Sequence, residues 1–327
     1  MSATPIIQHS AEWHEARTKC ITATDISAIL GLHPYKTPHE VYKEKLGLAF
    51  IQDPNDAMMT GTHLEHSIAE WFQSKTGKTI IRADFCTHKD EPIFGASPDY
   101  FIEGESAVLE CKWCGMNAAK GFGDGADDVP AHYLLQVQWQ LFVTGMQTGY
   151  LQVLGPWGFK APYTIYADAE LHKRMAFQAR KFWGEYIVNS TPPPLTGKWA
   201  DSEAIKQEFP QDDGSLVVAS YELEETIEKL RAALDSQKDL ETEVYALQNQ
   251  IKQFMGEHAT LESTTGKFHW KTTKERVETD WQALAMQLVE SLKKQGVDLD
   301  LVSMAVTYSQ TKPGYRRFTT PFRSEKA

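Results

Sequence analysis

Two acids and a lysine in the middle of the chain are the side chains best suited to chemistry. Asp99 follows Ser97 and Pro98, and after a short gap comes Glu110-Cys111-Lys112. Carboxylate oxygens are the ligands that hard divalent cations prefer, and such a cation can activate a water molecule beside it. The spacing therefore predicts a site that binds a divalent metal ion and hydrolyses a substrate.

The residues around this triad have the pattern of two neighbouring strands. Residues 107–113 form a short apolar run, which is typical of a buried strand. Side chains alternate along a strand, so Glu110 and Lys112 share one face. Residues 93–102 predict a second strand, interrupted by a proline, and a turn between the two brings Asp99 opposite Glu110. From these residues alone, a solvent-facing hairpin with ordinary surface charges remains the alternative.

Predicted helices on either side supply further polar groups. Residues 60–77 have apolar positions at helical spacing, and Glu65 lies at the edge of that stripe, where it could reach a metal. Residues 130–144 predict another helix, with Gln136 and Gln140 one turn apart and suited to binding a phosphate or a water. The alternative for Glu65 is an ordinary solvated helix acid.

The N-terminal segment offers a possible anion site. Ser10 predicts the start of a helix that contains Arg17, and residues 21–31 predict a second helix that ends at a glycine. The first turn of that second helix contains Thr22 and Thr24. Unpaired backbone amides at a helix start attract anions, so these hydroxyls and Arg17 could hold a phosphate. Plain helix capping is the alternative.

Composition limits the classes of protein. The chain has 327 residues and a net charge of −11, which excludes a protein covered in positive charge and leaves only a confined stripe for nucleic acid. We expect no membrane span, because no apolar run approaches about 20 residues, and no signal peptide. Four scattered cysteines indicate a reducing cytosol. Cys111 and Cys114 could form half of a redox or zinc site, but core packing is the preferred interpretation.

The C-terminal part changes character after three consecutive prolines at 192–194, which predicts one domain over 1–195 and another over 196–327. Residues 221–254 predict a long helix with a coiled-coil-like seam, serving either oligomerisation or packing within the domain. Strands near 267–271 and 315–318 and a helix over 280–295 follow. The strands interleave basic and aromatic residues, which favours either single-stranded nucleic acid or a solvated face.

Taken together, residues 1 to about 190 resemble the YqaJ-like viral recombinase family, a branch of the PD-(D/E)xK nucleases that includes phage-type exonucleases. Six segments carry the resemblance, in matching order and spacing: Trp13-x-x-x-Arg17, Ile21-Thr22-Ala23-Thr24-Asp25, Gly61-x-x-x-Glu65, Ser97-Pro98-Asp99, Leu109-Glu110-Cys111-Lys112 and Gln136-Val137-Gln138-Trp139. The resemblance implies an α/β fold with a restriction-endonuclease-like core, that is, a central mixed sheet flanked by helices. A mainly helical α+β region is expected to follow it.

The same resemblance implies a function. The implied protein is a Mg²⁺-dependent exonuclease that degrades one strand of linear duplex DNA from its 5′ end. Two metal ions are expected in its site, and Mn²⁺ is expected to substitute for Mg²⁺. The 3′ single strand would pass to a single-strand annealing protein. The expected assembly is a homo-oligomer, with a ring-shaped trimer as the form that the resemblance suggests, and no membrane partner is expected. The expected location is the cytoplasm of a bacterial host of a phage or prophage.

Site residues follow from the resemblance position by position. Asp99, Glu110 and the Cys111 carbonyl resemble ligands of the main metal, and Glu65 resembles the acid that helps to hold a second. Lys112 resembles the lysine that orients the attacking water, with its protonation state open, and Gln136 the glutamine that places that water and the scissile phosphate. The expected binding site for the 5′-phosphate comprises Trp13, Arg17, Thr24 and Ser97.

Two other functions remain open at this point. One is a RecB-like endonuclease, some of which hold an iron–sulfur cluster on four cysteines, although the cysteine spacing here does not match. The other is a DNA-end-binding protein without catalysis, against which the complete set of Asp99, Glu110 and Lys112 argues.

Overall fold

The computed structural model describes residue 8 and residues 10–48, 55–125, 128–274 and 280–297. The chain divides into two compact units, Met1–Phe209 and Pro210–Ala327. Within the described ranges, every helix is too short or too polar to cross a membrane.

Four helices open the first unit: α1 (Ala11–Thr18), α2 (Ala23–Ile29), α3 (Pro38–Lys45) and α4 (Asp56–Thr76). Polar caps set their starts, as predicted for α1, where the Ser10 hydroxyl accepts from the Trp13 amide at 3.1 Å. The α4 helix begins earlier than predicted because Asn55 accepts a hydrogen bond from the Met58 amide at 2.9 Å. It ends as expected at Gly77, whose φ of 70° is readily adopted only by glycine.

The strands of the first unit are β1 (Ile80–Arg82), β2 (Cys86–Thr87), β3 (Gly95–Ala96), β4 (Tyr100–Ile102), β5 (Ala107–Trp113), β6 (Thr148–Gly155), β7 (Gly158–Phe159) and β8 (Tyr163–Tyr166). The main sheet has the order β1-β4-β5-β6-β7, with β8 also paired to β6, while β2 and β3 form a separate pair. Only β5 and β6 run parallel among these described strands, so the sheet is mixed.

The predicted strand over residues 93–102 is divided in two by Ser97-Pro98-Asp99. Its second half, β4, pairs antiparallel with β5, and Tyr100 lies opposite Leu109. Continuing that register by one residue places Asp99 opposite Glu110, as the sequence predicted.

Helices cover both faces of the sheet. The helices that pack on the two faces are α4 and α5 (Ala131–Thr144). The remaining elements of the unit are α6 (Ala169–Phe182), a π-helical turn at Trp183–Val188, and α7 (Trp199–Glu208). On one face Val108 packs with Val137 and Leu141 of α5. On the other, Leu109 packs with residues of α4. A mixed central sheet between helices confirms the predicted fold class.

The second unit contains α8 (Tyr221–Met255), β9 (Thr260–Ser263), β10 (Gly266–His269) and α9 (Trp281–Lys294). The long helix and α9 agree with the predicted helices. The β10 strand pairs with β9, which the sequence did not predict, and the predicted strand at 315–318 lies outside the described residues. The division between the units follows α7, which belongs to the first unit and joins α3 through an ion pair between Lys43 and Glu208.

Candidate active site

Asp99 lies between β3 and β4 with only 7% of its surface exposed. One carboxylate oxygen accepts a hydrogen bond from the Cys111 amide at 2.8 Å, which fixes the side chain against β5. Burial, followed by the negative charges of Glu110 and Glu65, raises the pKa of Asp99 well above its usual value. The fold therefore holds a carboxyl group here without enough positive charge to stabilise its ionised form.

Glu110, on β5, is 2% exposed and is held by the side chains of two glutamines and a lysine. Gln136 donates to its Oε1 at 2.5 Å, and Gln140 donates to its Oε2 at 2.6 Å. Both glutamines project from the face of α5 that covers β5, one turn apart, so together they fix the plane of the carboxylate. The Lys112 ammonium also donates to Oε1. The Gln136 amide is thus engaged with a carboxylate in this structure.

Lys112 lies two residues beyond Glu110 on the same strand face, as alternation predicted. Burial alone would lower its pKa, but the charges of Glu110 and Asp99 outweigh burial and raise it above its usual value. The side chain is therefore an ammonium group in this structure. Its Nζ also lies 5.8 Å from the centroid of the Tyr133 ring.

Glu65 occupies a different environment. It lies on α4, which packs against the opposite face of β5, and its carboxylate pairs with the Arg82 guanidinium. Arg82 also donates to the Tyr100 hydroxyl at 3.2 Å. The negative charge of Glu65 nevertheless contributes to the raised pKa of Asp99. In this structure, then, Glu65 is held by an arginine beside the acidic pair.

The donor chemistry of Asp99 and Glu110 fits a divalent cation. Both are buried oxygen donors, and the one ammonium group beside them, that of Lys112, contacts Glu110. Burial, followed by the neighbouring carboxylates, raises the pKa of Asp99. Among the described residues, no group of three or more His, Cys, Asp or Glu side chains is gathered as a metal site. Cys111 turns its thiol into the core under α4, where burial raises its pKa.

Three of the residues predicted to bind a 5′-phosphate, Trp13, Arg17 and Ser97, are linked by contacts near this acidic pair. The Trp13 indole donates to the Ser97 hydroxyl at 2.8 Å, and the Arg17 guanidinium lies 4.4 Å from the centroid of the Trp13 ring. Ser97 is two residues from Asp99 in the same connection between strands. Thr24 lies in the first turn of α2, half-buried, and no hydrogen bond between described residues joins it to the other three.

A buried cluster under the start of α2 was missed by the sequence interpretation. The carboxylate of Asp25, 0% exposed, pairs with the ammonium groups of Lys36 at 2.8 Å and Lys45 at 2.5 Å. Burial would raise the pKa of Asp25, but these lysines, followed by Arg17, hold it well below its usual value. Lys45 also donates to the Arg17 carbonyl at 2.8 Å, so the cluster joins α1, α2 and α3. The spacing of Thr22 and Asp25, which is typical of a capping box, is the one sequence pattern that indicates this cluster.

All four cysteines are free. Cys111 and Cys114 lie in separate cores on either side of the sheet, which agrees with core packing. The described residues hold no cluster of cysteines that would support the iron–sulfur alternative.

The family model described as the YqaJ-like viral recombinase domain matches residues 12–147. A protein of Bacillus subtilis (strain 168), named YqaJ and otherwise uncharacterised, is 30% identical over 250 residues, which cover 75% of this chain and 77% of that protein. The R354 protein of Acanthamoeba polyphaga mimivirus is 29% identical over 152 residues, 42% of this chain and 27% of that protein.

Among solved structures, an alkaline exonuclease from Laribacter hongkongensis aligns with a TM-score of 0.45 and 19% identity, over 61% of this chain and 97% of that chain.

Proposed function

Because this chain belongs to the YqaJ-like viral recombinase family, we propose that it is a metal-dependent deoxyribonuclease that digests one strand of linear duplex DNA from its 5′ end. The observation that supports this most strongly is the connection between β3 and β4. Within three residues it contains Ser97, which is bonded to Trp13, and Asp99, which belongs to the buried acidic pair. A group that recognises a strand end and a group that serves hydrolysis are thereby adjacent.

In this proposal Asp99 and Glu110 provide the oxygen ligands for a divalent cation. Such a cation, when bound, lowers the pKa of a water molecule and neutralises the charge that develops on the phosphate. Gln136 and Gln140 keep the Glu110 carboxylate in one orientation, so the ligand needs no rearrangement. The Lys112 side chain, on the same strand face as Glu110, is assigned to orient the attacking water by a hydrogen bond. Glu65 joins the site only when Arg82 releases it.

Recognition of the strand end is assigned to the side chains of Arg17, Trp13 and Ser97. A terminal phosphate carries more negative charge than an internal phosphodiester, and a guanidinium group binds it through paired N–H donors. The Trp13 ring supports the guanidinium group, and its N–H holds the Ser97 hydroxyl in place. Thr24 is proposed to contribute its hydroxyl when DNA is bound. A strand held in this way would present its first phosphodiester to the acidic pair.

The product of this reaction is a duplex with a 3′ single-stranded overhang. We propose that a single-strand annealing protein of a phage or prophage receives it in the bacterial cytoplasm, and that Mg²⁺ is the metal. A ring-shaped trimer is the assembly proposed for successive cuts along one DNA molecule. Its mass in solution, measured by light scattering, tests that assembly directly.

The function is tested by digestion of linear duplexes labelled at either end, with a 5′-phosphate or a 5′-hydroxyl, in Mg²⁺ and in EDTA. We expect loss of the 5′ label first, faster digestion of phosphorylated ends, and no reaction in EDTA. Nicking of circular DNA at a comparable rate would instead identify an endonuclease.

A matched pair of variants tests the end-binding residues. Arg17→Ala removes the guanidinium group, whereas Lys19→Ala removes an exposed cation next to the end of the same helix, which forms a surface ion pair with Glu15. We expect the preference for a 5′-phosphate to disappear in Arg17→Ala and to persist in Lys19→Ala. Equal activity of the unaltered protein on both kinds of end would show that the end-binding assignment is wrong.

A further inference from the structure

Two histidines from distant parts of the chain meet beside the acidic pair. His33 lies in the connection between α2 and α3, and His132 lies in the first turn of α5. Their ring centroids are 5.8 Å apart and their planes are inclined by 68°. His132 precedes Gln136 by one helical turn, and Gln136 donates to Glu110, so His132 lies one turn of α5 from a residue bonded to the acidic pair.

Hydrogen bonds determine which ring nitrogens are available to a ligand. The Tyr35 amide donates to Nδ1 of His33 at 3.2 Å, so Nδ1 is an acceptor and the neutral ring has its proton on Nε2. The N–H group at Nε2 of His33 is therefore a hydrogen-bond donor, on the side of the ring away from the Tyr35 amide. Among the described residues, no protein group forms a hydrogen bond with either ring nitrogen of His132. Each ring thus retains a nitrogen that can bind a ligand.

The charges around the two rings favour an anion. Burial lowers the pKa of His33 to about 4, helped by His132 and by the ammonium groups of Lys36 and Lys198, while only Asp25 opposes them. Burial and the Lys112 ammonium lower the pKa of His132. The two imidazoles are therefore neutral donors at neutral pH. They lie in a field set mainly by lysines, in a chain whose overall charge is −11.

The position of the His33 loop is fixed by a distant lysine. The Lys198 ammonium, in the segment before α7, donates to the carbonyls of Gly31 at 2.7 Å and His33 at 2.8 Å. The neighbouring Tyr35 ring, 69% exposed, lies 6.4 Å from the His33 ring. The loop therefore presents an imidazole donor and an exposed aromatic ring from a supported backbone.

We propose that His33 and His132 together bind one internal phosphodiester of the DNA strand, at a point separate from the Arg17 pocket. The ligand is a singly charged backbone phosphate, whose two free oxygens accept the imidazole N–H groups, and Tyr35 offers a surface for the adjoining sugar or base. This inference rests on the proposed function and adds a substrate contact to it. It also identifies one part of the confined path that DNA requires on an acidic protein.

Equilibrium binding tests the proposal without catalysis. A fluorescent duplex with a 5′-phosphate and a 3′ overhang is titrated with protein in EDTA, and the dissociation constant is read from anisotropy. His33→Ala and His132→Ala are each expected to weaken binding at least about tenfold, the usual effect of losing a hydrogen bond to a charged group. His132→Gln keeps an N–H donor and should recover most of the affinity, which separates loss of the donor from loss of the fold.

The matched control is His88→Ala. His88 stacks on Phe142 at 4.8 Å, and Phe142 lies ten residues further along α5 than His132, or about 15 Å. We expect this variant to bind DNA like the unaltered protein, because it perturbs the same helix at a distance from the acidic pair.

A set of duplexes, each with a single uncharged methylphosphonate, then identifies the phosphate. At one position, the methylphosphonate should weaken DNA binding by the unaltered protein. The same methylphosphonate should not weaken binding by His132→Ala any further, because the substitution and the uncharged phosphate remove the same contact. Affinity of both histidine variants equal to that of His88→Ala, or additive losses at every position, would overturn the proposal. If the unaltered protein neither binds nor digests the duplex, the proposed function itself fails.

Discussion

Two buried aspartates in the first unit differ in their surroundings. Asp25 is 0% exposed and Asp99 is 7% exposed, yet the pKa of Asp25 lies well below its usual value and that of Asp99 well above. Asp25 contacts two ammonium groups, whereas the Lys112 ammonium group contacts Glu110 and acts on Asp99 only through its charge. The difference separates a buried acid that is part of the scaffold from one that we propose as a ligand of an external cation.

The largest expected effect is on activity at the acidic pair. Asp99→Asn and Glu110→Gln each remove a charged oxygen ligand while keeping the size of the side chain. We expect at least a thousandfold loss of DNA digestion in Mg²⁺, of the order seen when a group that stabilises developing charge is removed. Release of acid-soluble nucleotides from linear duplex DNA measures this. Full activity in both variants would refute the assignment of the acidic pair.

Asp25→Asn is expected to act on stability first. It leaves the buried Lys45 ammonium group without its carboxylate partner and leaves Lys36 with Glu44 alone, which costs about 3–5 kcal/mol of the free energy of unfolding. Urea denaturation followed by circular dichroism measures the loss. Glu15→Gln breaks an exposed ion pair with Lys19 and should change stability by less than about 1 kcal/mol. Similar values for the two variants would contradict the role given to the Asp25 cluster.

Acid should remove the contribution of Asp25 in a defined direction. Its pKa is lower in the folded protein than the value of about 3.9 in an unfolded chain, so its stabilisation is fully present above that value. The stabilisation is lost as the pH falls through the folded pKa. The stability difference between the unaltered protein and Asp25→Asn should therefore narrow between about pH 5 and pH 2. A constant difference over that range would be inconsistent with the lowered pKa.

Asp99→Asn should have the opposite effect on stability. With no metal bound, the substitution removes a carboxyl group whose ionised form is poorly compensated, so the free energy of unfolding at pH 8 in EDTA should rise by about 1 kcal/mol. In Mg²⁺ the unaltered protein should recover that difference, because its carboxylate gains a cation. Thermal unfolding under both conditions makes the comparison.

The smallest effect is expected at Arg82. Arg82→Gln releases Glu65 and makes a third carboxylate available, so Mn²⁺ should bind about fivefold more tightly, equivalent to about 1 kcal/mol. Calorimetric titration of Mn²⁺ measures this without catalysis. Arg180→Gln breaks a comparable surface pair with Glu91 and should leave Mn²⁺ affinity unchanged. An equal change in Mn²⁺ affinity in both variants would show that Arg82 has no specific effect on metal binding at the acidic pair.

Local patterns in the sequence predicted the parts of the site that lie on one strand or one helix. Alternation along β5 placed Glu110 and Lys112 on one face, and helical spacing placed Gln136 and Gln140 one turn apart. The use of those two amides was not predictable, because it depends on how α5 lies across β5.

The features of the site that the sequence did not predict depend on contacts between segments that are distant in the chain. Arg82 lies on β1, which no pattern predicted, so its pairing with Glu65 was invisible in the sequence. The lysines of the Asp25 cluster come from the loop before α3 and from α3 itself, and the histidine pair joins residues 33 and 132. Ion pairs and ring contacts across such separations leave no periodic signal in a sequence.

The parallel pairing of β5 with β6 has a consequence for the order of folding. The two strands are joined through α5, so Glu110 and its two glutamines belong to one crossover unit, Ala107–Gly155. Closing a loop of this length has an entropic cost that only the completed pairing offsets, so the pairing forms cooperatively. The carboxylate should therefore acquire its fixed orientation in the same step that buries Val108 against α5. Amides of β5 and the α5 turn around Gln136 should then become protected from hydrogen exchange together during refolding.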